Sequence, residues 1–323
     1  MENTAIPVLV IFGPTASGKT GILLQLFNSQ SNSKAEVISA DSMQVYRGMN
    51  IGTAKPSAEE REKLPHHLID IRDPAEQFNA GDFVRLADEA CAEIASRGKL
   101  PVVSGGTGFY LKNFILGLSE APPGDKSIRE QLKRELSEKG AASLMEELAS
   151  CDSVSANRIH INDEYRLLRA LEVYRSCGKP LSSFEVNTAK NRSKFSFLII
   201  GLSRPREELY RRINLRCADM FKQGLAAEVT SLFKSGYTPD DPGLRAIGYR
   251  EFFVETKELD SSSDKRSKWR LSEDLEGVQS LVAQNSRRYA KRQITFFSGI
   301  PNVIWLEPGR DDEETADKIK KLL

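Results

Sequence analysis

Cysteine is scarce and scattered in this chain. Its four cysteines, Cys91, Cys151, Cys177 and Cys217, lie far apart with no C-x-x-C pair, so neither a zinc knuckle nor a disulfide framework is suggested. Histidine is rarer still, with three in all. The adjacent His66 and His67 diverge, and no carboxylate–histidine spacing around them suits a metal. No apolar run is long enough to span a bilayer, and Met1-Glu2-Asn3-Thr4 lacks the basic region of a signal peptide. The expectation is a cytoplasmic protein with no membrane partner. A formal net charge of +1 removes any global basic field, so an argument for nucleic acid must rest on local clusters. There is no internal repeat and no low-complexity tract. What remains is an ordinary globular composition, 40% hydrophobic and 28% charged over 323 residues, which allows one large or two modest domains.

Against that background one octet stands out. Gly13, Pro14, Thr15, Ala16, Ser17, Gly18, Lys19 and Thr20 fit G-x-x-x-x-G-K-[ST]. The β-branched run Val8–Phe12 precedes it, and Ile22–Phe27 continues it as a helix. Strand, glycine turn and helix start together aim backbone N–H groups and the positive end of a helix dipole at an anion. Lys19 adds a point charge for the outer phosphates, and the Thr20 hydroxyl is a ligand for Mg²⁺. The octet identifies a phosphate cradle. It does not say whether the phosphate is transferred, hydrolysed or released.

Patterning around it predicts an α/β fold. Strands are expected at Ala35–Ala40 and Leu100–Ser104, with a helix over Asp82–Ser96 and another opening at Phe109. Repeated β-α units imply a parallel sheet with helices on both faces, a P-loop NTPase-like core. The texture changes after Ala121-Pro122-Pro123-Gly124: Ile128–Lys139, Ala142–Ala149 and Asp163–Ser176 are all helical in pattern. Strand character returns at Phe195–Gly201, so residues 125–187 read as a helical insertion in a core made of residues 1–124 and 188–323. Helices are expected at Arg206–Gln223, Leu225–Lys234, Ala246–Val254 and Glu273–Phe297, with a polar linker over Glu258–Ser267 and a last strand at Asn302–Leu306.

In open parallel sheets, ligands gather at the carboxyl ends of the strands. That rule brings Asp41 and Ser42, past the second strand, and Ser104–Thr107, past the third, toward the P-loop. Asp41 there suits a Mg²⁺ ligand or a general base, and equally a turn or cap aspartate. The third strand ends Val102-Val103-Ser104-Gly105-Gly106, without the acid of a Walker-B strand, which weakens a motor ATPase more than a small-molecule kinase. Arg288, Lys291 and Arg292 share a helix face beside Tyr289, Phe296 and Phe297, a combination that suits a phosphate backbone and an unstacked base. Arg166 with Arg169, and Arg245 with Tyr249 and Arg250, make two further Arg-rich spots. Each alone also reads as a solvated helix face.

Taken together the segments resemble the tRNA dimethylallyltransferase (isopentenyltransferase) family. The matching stretches include the octet, Ile38–Tyr46, Gly48–Pro56, Asp70–Pro74, Gly105–Thr107, Arg158–His160, Ala170–Tyr174, Ala246–Arg250 and Lys291–Thr295. They run in family order over nearly the whole chain. The resemblance implies transfer of a dimethylallyl group from dimethylallyl diphosphate to N6 of adenosine 37 in the tRNA anticodon stem-loop, with Mg²⁺ assisting and diphosphate leaving. It implies a monomer and, with no zinc finger of the eukaryotic kind, a bacterial-type enzyme. Asp41 matches the family's general base, and Lys19 and Thr107 its other catalytic positions. Asp41, Ser42, Met43 and Gln44, then Tyr165, Arg166 and Arg169, then Arg245, Gly248, Tyr249 and Arg250, then Arg288, Lys291, Arg292 and Gln293 fall in tRNA-contacting regions. Thr107 and Arg129 match substrate-channel positions. Tyr165 replaces a common Gln, and Phe296 a common Trp. A P-loop kinase acting on a small molecule is the alternative from the octet alone, and a non-enzymatic RNA-binding protein is a third.

Overall fold

Seven mostly apolar residues, Ile6–Phe12, form β1, whose last five are fully buried, as a strand covered on both faces requires. In the computed structural model, which describes residues 5–27, 34–184, 192–256, 265–308 and 312–323, the later strands are β2 (Ala35–Ser39), β3 (His66–His67), β4 (Leu100–Gly105), β5 (Phe195–Leu202), β6 (Phe253–Glu255), β7 (Trp269–Leu271) and β8 (Ile304–Leu306). Six of them make one sheet in the order β3-β2-β4-β1-β5-β8, with every pairing parallel. β1 therefore lies inside, registered Leu9 to Val102 on one side and Ile6 to Phe195 on the other. The α/β class and parallel sheet expected from the sequence are both present.

The helices are α1 (Lys19–Phe27), α2 (Ala58–Lys63), α3 (Ala80–Ser96), α4 (Gly108–Leu116), α5 (Lys126–Cys151), α6 (Ser153–Arg158), α7 (Glu164–Cys177), α8 (Arg206–Lys222), α9 (Leu225–Lys234), α10 (Leu275–Phe297) and α11 (Asp312–Lys320). Alternation along β1 sorts its two faces. Leu9 and Ile11 pack with Ile22, Leu23 and Leu26 of α1 and with Ala316 and Ile319 of α11. Phe12 turns the other way, its ring 4.7 Å from that of Phe297 at the end of α10. Helices thus cover both faces.

Residues 1–115 with 193–323 form one compact unit and residues 116–192 another. The smaller unit is helical, with Leu132, Leu144, Leu148, Leu167, Leu168 and Leu171 as its core. Its long helix α5 is broken at Gly140, where φ is 79°, between the two helices expected there. Arg175 of α7 grips both halves with forked bonds to Glu135 and Glu147 at 2.8–2.9 Å.

Two expectations need correction. No helix runs over Ala246–Val254: Arg250–Phe252 is a 3-10 turn, and Phe253–Glu255 pairs antiparallel with Trp269–Leu271, so its backbone bonds go across a ladder. Part of the polar linker is also ordered, since Lys265–Lys268 forms a 3-10 turn before β7; its residues 258–264 lie outside the described residues, as does the insertion's boundary at 187 and 188. The two-residue β3 was not anticipated.

A buried charge steadies the β2–β4 side of the sheet. Glu36 is 5% exposed and receives bonds from Lys99 at 2.8 Å, Arg97 at 2.6 Å and His67 at 2.7 Å. Burial alone raises its pKa, but the bonds from Lys99 and His67 and the charges of Lys99 and Arg97 outweigh this and draw it down to about 2. A carboxylate whose folded pKa is depressed stabilises the fold above its unfolded value near 4.5, and that contribution is lost as pH falls through about 2. It amounts to about 3 kcal/mol. Thermal melts should therefore show Glu36→Gln less stable than wild type at pH 7 and the gap closing between about pH 4.5 and 2; a gap independent of pH would rule this out.

Candidate active site

The P-loop leaves the carboxyl end of β1 and turns into α1 with every carbonyl from Gly13 to Ser17, except that of Thr15, tied back. Lys19 Nζ donates to Gly13 O at 2.9 Å and Pro14 O at 3.0 Å. Arg212 Nε donates to Ala16 O and Arg204 Nε to Ser17 O, each at 2.9 Å. Ala16 has φ 64°, a left-handed conformation that costs a non-glycine residue roughly 1–2 kcal/mol, and the Arg212 bond helps to hold it. Burial first, then the charge of Arg216, lowers the Lys19 pKa to about 8, while Asp41 pulls it upward. A deep ammonium near two other charges is what a polyanion would restore to full protonation.

Asp41 and Thr107 reach the loop from the neighbouring strands. Gly105 allows this: a Cβ there would lie 2.1 Å from Ala40 O, so β2 and β4 can close on each other only with glycine. The Thr107 N–H then donates to Ala40 O at 3.1 Å, and its Oγ1 accepts the Ser42 N–H at 2.9 Å. Asp41 Oδ1 accepts from the Met43 and Gln44 amides at 2.9 and 3.3 Å. Gln44 links Ser39 Oγ to the carbonyls of Thr53 and Ala54. At Tyr289, burial with the Asp41 charge raises the hydroxyl pKa to about 12.

Two joined spaces result. A cleft of about 890 Å³ runs along Thr15–Gly21 past Asp41 and the loop Asn50–Ser57. A smaller cavity of about 290 Å³ continues from it, with Ile213, Met220, Ala246, Ile247 and Val282 among its walls. Asp41, Arg216 and Tyr289 line both. The arrangement offers a polyanion cradle, a chamber with an apolar wall and a carboxylate between them.

Several residues here escaped the sequence reading. Arg216 lies in the cleft with its pKa lowered by burial despite the attraction of Asp41; among the described residues it has no hydrogen-bond partner, so its charge faces the space. Glu228 of α9 collects the amides of Asn50, Ile51 and Gly52 at 2.9–3.2 Å and so fixes the loop that roofs the cleft. The signal was faint: Arg212 and Arg216 stand at i, i+4 on the helix after a core strand.

The cationic residues divide. Arg288, Lys291 and Arg292 are exposed on α10, as are Arg245 and Arg250. Tyr249 and Gln293 are buried, and Gln293 lines the cleft. Tyr249 is 0% exposed and donates its hydroxyl to Glu228 at 2.6 Å, and Gly248 is buried beside Gly52. Gln293 is 4% exposed; its amide accepts from Thr15 N at 2.9 Å and donates to Gly106 O at 2.7 Å, pinning one glycine turn to the other. In the helical unit, Tyr165 and Arg166 are exposed, whereas Arg129 and Arg169 both turn to buried Glu172, at 3.5 and 2.9 Å. The Arg129 guanidinium also stacks 4.8 Å over the Tyr165 ring.

Comparison with known proteins points one way. The family model described as IPP transferase matches residues 44–299. The tRNA dimethylallyltransferase of Geobacter sulfurreducens is 43% identical over 303 residues, 93% of this chain and 91% of that one. Its counterpart from Acetivibrio thermocellus is 40% identical over 317 residues, covering 98% and 96%. Among solved structures, the full-length tRNA isopentenylpyrophosphate transferase of Bacillus halodurans superposes with TM-score 0.66 at 37% identity, over 98% of this chain and 95% of that one. A eukaryotic dimethylallyltransferase acting on tRNA superposes with TM-score 0.73 at 27% identity, over 98% and 79%. With a P-loop, a facing aspartate and similarity along almost its full length, the chain belongs to the IPP transferase family of tRNA dimethylallyltransferases.

Proposed function

We propose that this chain is a prenyltransferase that moves the dimethylallyl group of dimethylallyl diphosphate to N6 of adenosine 37 in tRNA. The observation that carries the reading is Asp41, which lines both the P-loop cleft and the smaller, partly apolar cavity. The diphosphate occupies the cradle as a leaving group, held by loop amides, Lys19 and Arg216, and the dimethylallyl chain extends toward Ile213, Met220 and Val282. As the bond from C1 to the diphosphate oxygen breaks, N6 bonds to C1 and its proton passes to the Asp41 carboxylate. Negative charge grows on the departing diphosphate, where Lys19 and Arg216 oppose it. The adenine must leave its stack to reach N6 into the cavity, and the exposed cations of α10 with Arg245 and Arg250 supply phosphate contacts. The anticodon stem-loop is the part of the tRNA proposed to bind. A tRNA substrate fits a cytoplasmic protein, and the resemblance implies a monomer.

Mg²⁺ fits as an ion carried by the diphosphate. No group of three or more His, Cys, Asp or Glu suited to a metal occurs among the described residues, while the Thr20 hydroxyl and Asp41 both line the cleft. That sparse donor set suits a hard cation that takes most of its ligands from phosphate and water. When bound, it would neutralise charge on the leaving group.

A kinase reading of the P-loop is not favoured, because the family match covers residues well beyond the loop. The deciding assay follows diphosphate release from labelled dimethylallyl diphosphate with and without tRNA that carries adenosines at 36, 37 and 38. Release should require tRNA and yield a modified nucleoside; ADP formation from ATP without tRNA would favour the kinase instead.

A further inference from the structure

The arginines behind the P-loop suggest a role that its sequence motif leaves unmentioned. Arg204 follows β5, and its side chain is 4% exposed. It is not among the residues that wall the cleft, so it is placed to touch the loop rather than a ligand. Its Nε donates to Ser17 O at 2.9 Å, and its Nη1 pairs with Glu208 at 2.7 Å.

A trans peptide is planar, with its C=O and N–H on opposite sides. Holding the Ser17 carbonyl toward Arg204 therefore aims the Gly18 N–H the other way. Sterics do not enforce that orientation. Gly18 sits at φ 100°, and glycine also tolerates the flipped peptide, as the interchange of turn types illustrates. A flip would present the Ser17 carbonyl oxygen to an anion in place of an amide. The neighbouring amide cannot take over, because the Ser17 N–H already donates to Pro14 O at 3.2 Å. The Arg204 guanidinium and the Asp312 carboxylate each lie 3.3 Å from where a Gly18 Cβ would stand, with Arg212 at 3.6 Å, so Arg204 is one of two cations that face Asp312 beside the loop.

We propose that Arg204 is a positioning residue for diphosphate binding: it locks the Ser17–Gly18 peptide so that the Gly18 amide faces the cradle. Arg212 holds the Ala16 carbonyl in the same manner, but it also lines the cleft, which makes Arg204 the cleaner test. The inference rests on the proposal that the P-loop holds diphosphate.

The experiment uses the full-length protein and inorganic diphosphate as probe. Arg204→Met should weaken diphosphate binding about tenfold or more, the usual scale for losing a hydrogen bond to a charged group. The KM for dimethylallyl diphosphate should rise in parallel, while kcat at saturating donor and the affinity for tRNA stay near wild type. Arg204→Lys, which keeps the charge but has one ammonium in place of the guanidinium fork, should fall between them and covers the case in which the methionine variant fails to fold. In the ligand-free protein the Gly18 amide resonance should shift in either variant. Unchanged diphosphate affinity with an unchanged Gly18 amide would overturn the proposal, as would equal losses of diphosphate and tRNA binding. If wild-type protein binds no diphosphate, the functional reading fails instead, and the Gly18 amide still decides what Arg204 does.

Discussion

Asp41→Asn should lower kcat by about 10²- to 10⁴-fold, the range for loss of a positioned general base, and leave tRNA and donor affinity nearly intact. The separation follows from geometry. Asp41 Oδ1 accepts two amides that shape the turn into Met43 and Gln44, and the asparagine carbonyl can accept both in its place. The second oxygen becomes an NH₂ group, which cannot take a proton from N6. Adenine's exocyclic amine is a poor nucleophile, so the missing acceptor is felt in the bond-forming step. Single-turnover measurements at saturating tRNA and donor would read it directly. A rate constant within a few-fold of wild type would leave Asp41 as a turn residue only.

Lys19→Met should raise the KM for donor and reduce kcat/KM by about 10²- to 10³-fold, the scale for removing one charge-stabilising donor. It should also erase a pH dependence. In the free protein, burial and Arg216 hold the Lys19 pKa near 8 against a usual 10.5. Bound diphosphate favours the charged form and raises that pKa again. The bound pKa is then the higher one, so binding takes up a proton between the two values and weakens as pH climbs through about 8. Wild-type kcat/KM for donor should decline on that alkaline limb, with proton uptake visible as a buffer-dependent heat of binding at pH 9. The methionine variant should show neither effect. An alkaline limb that persists unchanged in it would assign the titration to another group.

The parts of this fold that were legible in sequence are those in which local pattern and tertiary role agree. β1, β2, β4 and the second half of β5 are buried on both faces, and such strands read as largely apolar runs. The P-loop is legible because its chemistry is local: cradle, lysine and hydroxyl lie within eight positions. β3 was missed because two histidines carry no period, and β6 because its partner β7 lies beyond a polar stretch. The helical fate expected for Ala246–Val254 yielded to a cross-strand ladder that no local signal announces. In the site, Asp41 and Thr107 could be placed by strand-end topology. Arg204, Arg216, Glu228 and Gln293 could not, since each reads as a solvated helix or loop residue until the chain brings the P-loop, or the loop roofing the cleft, against it. Gln293 shows the difference most plainly. Its family motif marks it as a tRNA contact, and the fold adds that its amide joins Thr15 to Gly106.

The position of β1 has a consequence for how the protein is made. Its ladder partner on one side is β5, with Ile6 opposite Phe195, and the helix that supplies Gln293 comes later still. A ribosome that has released the whole P-loop, α3 and β4 has not yet released the strand that completes the sheet beside β1, nor the arginines behind the loop. Pairing so distant in sequence is slow, and in the interval one edge of the most apolar strand stays open. The phosphate cradle, read first in the sequence, is therefore among the last parts of the molecule to become competent.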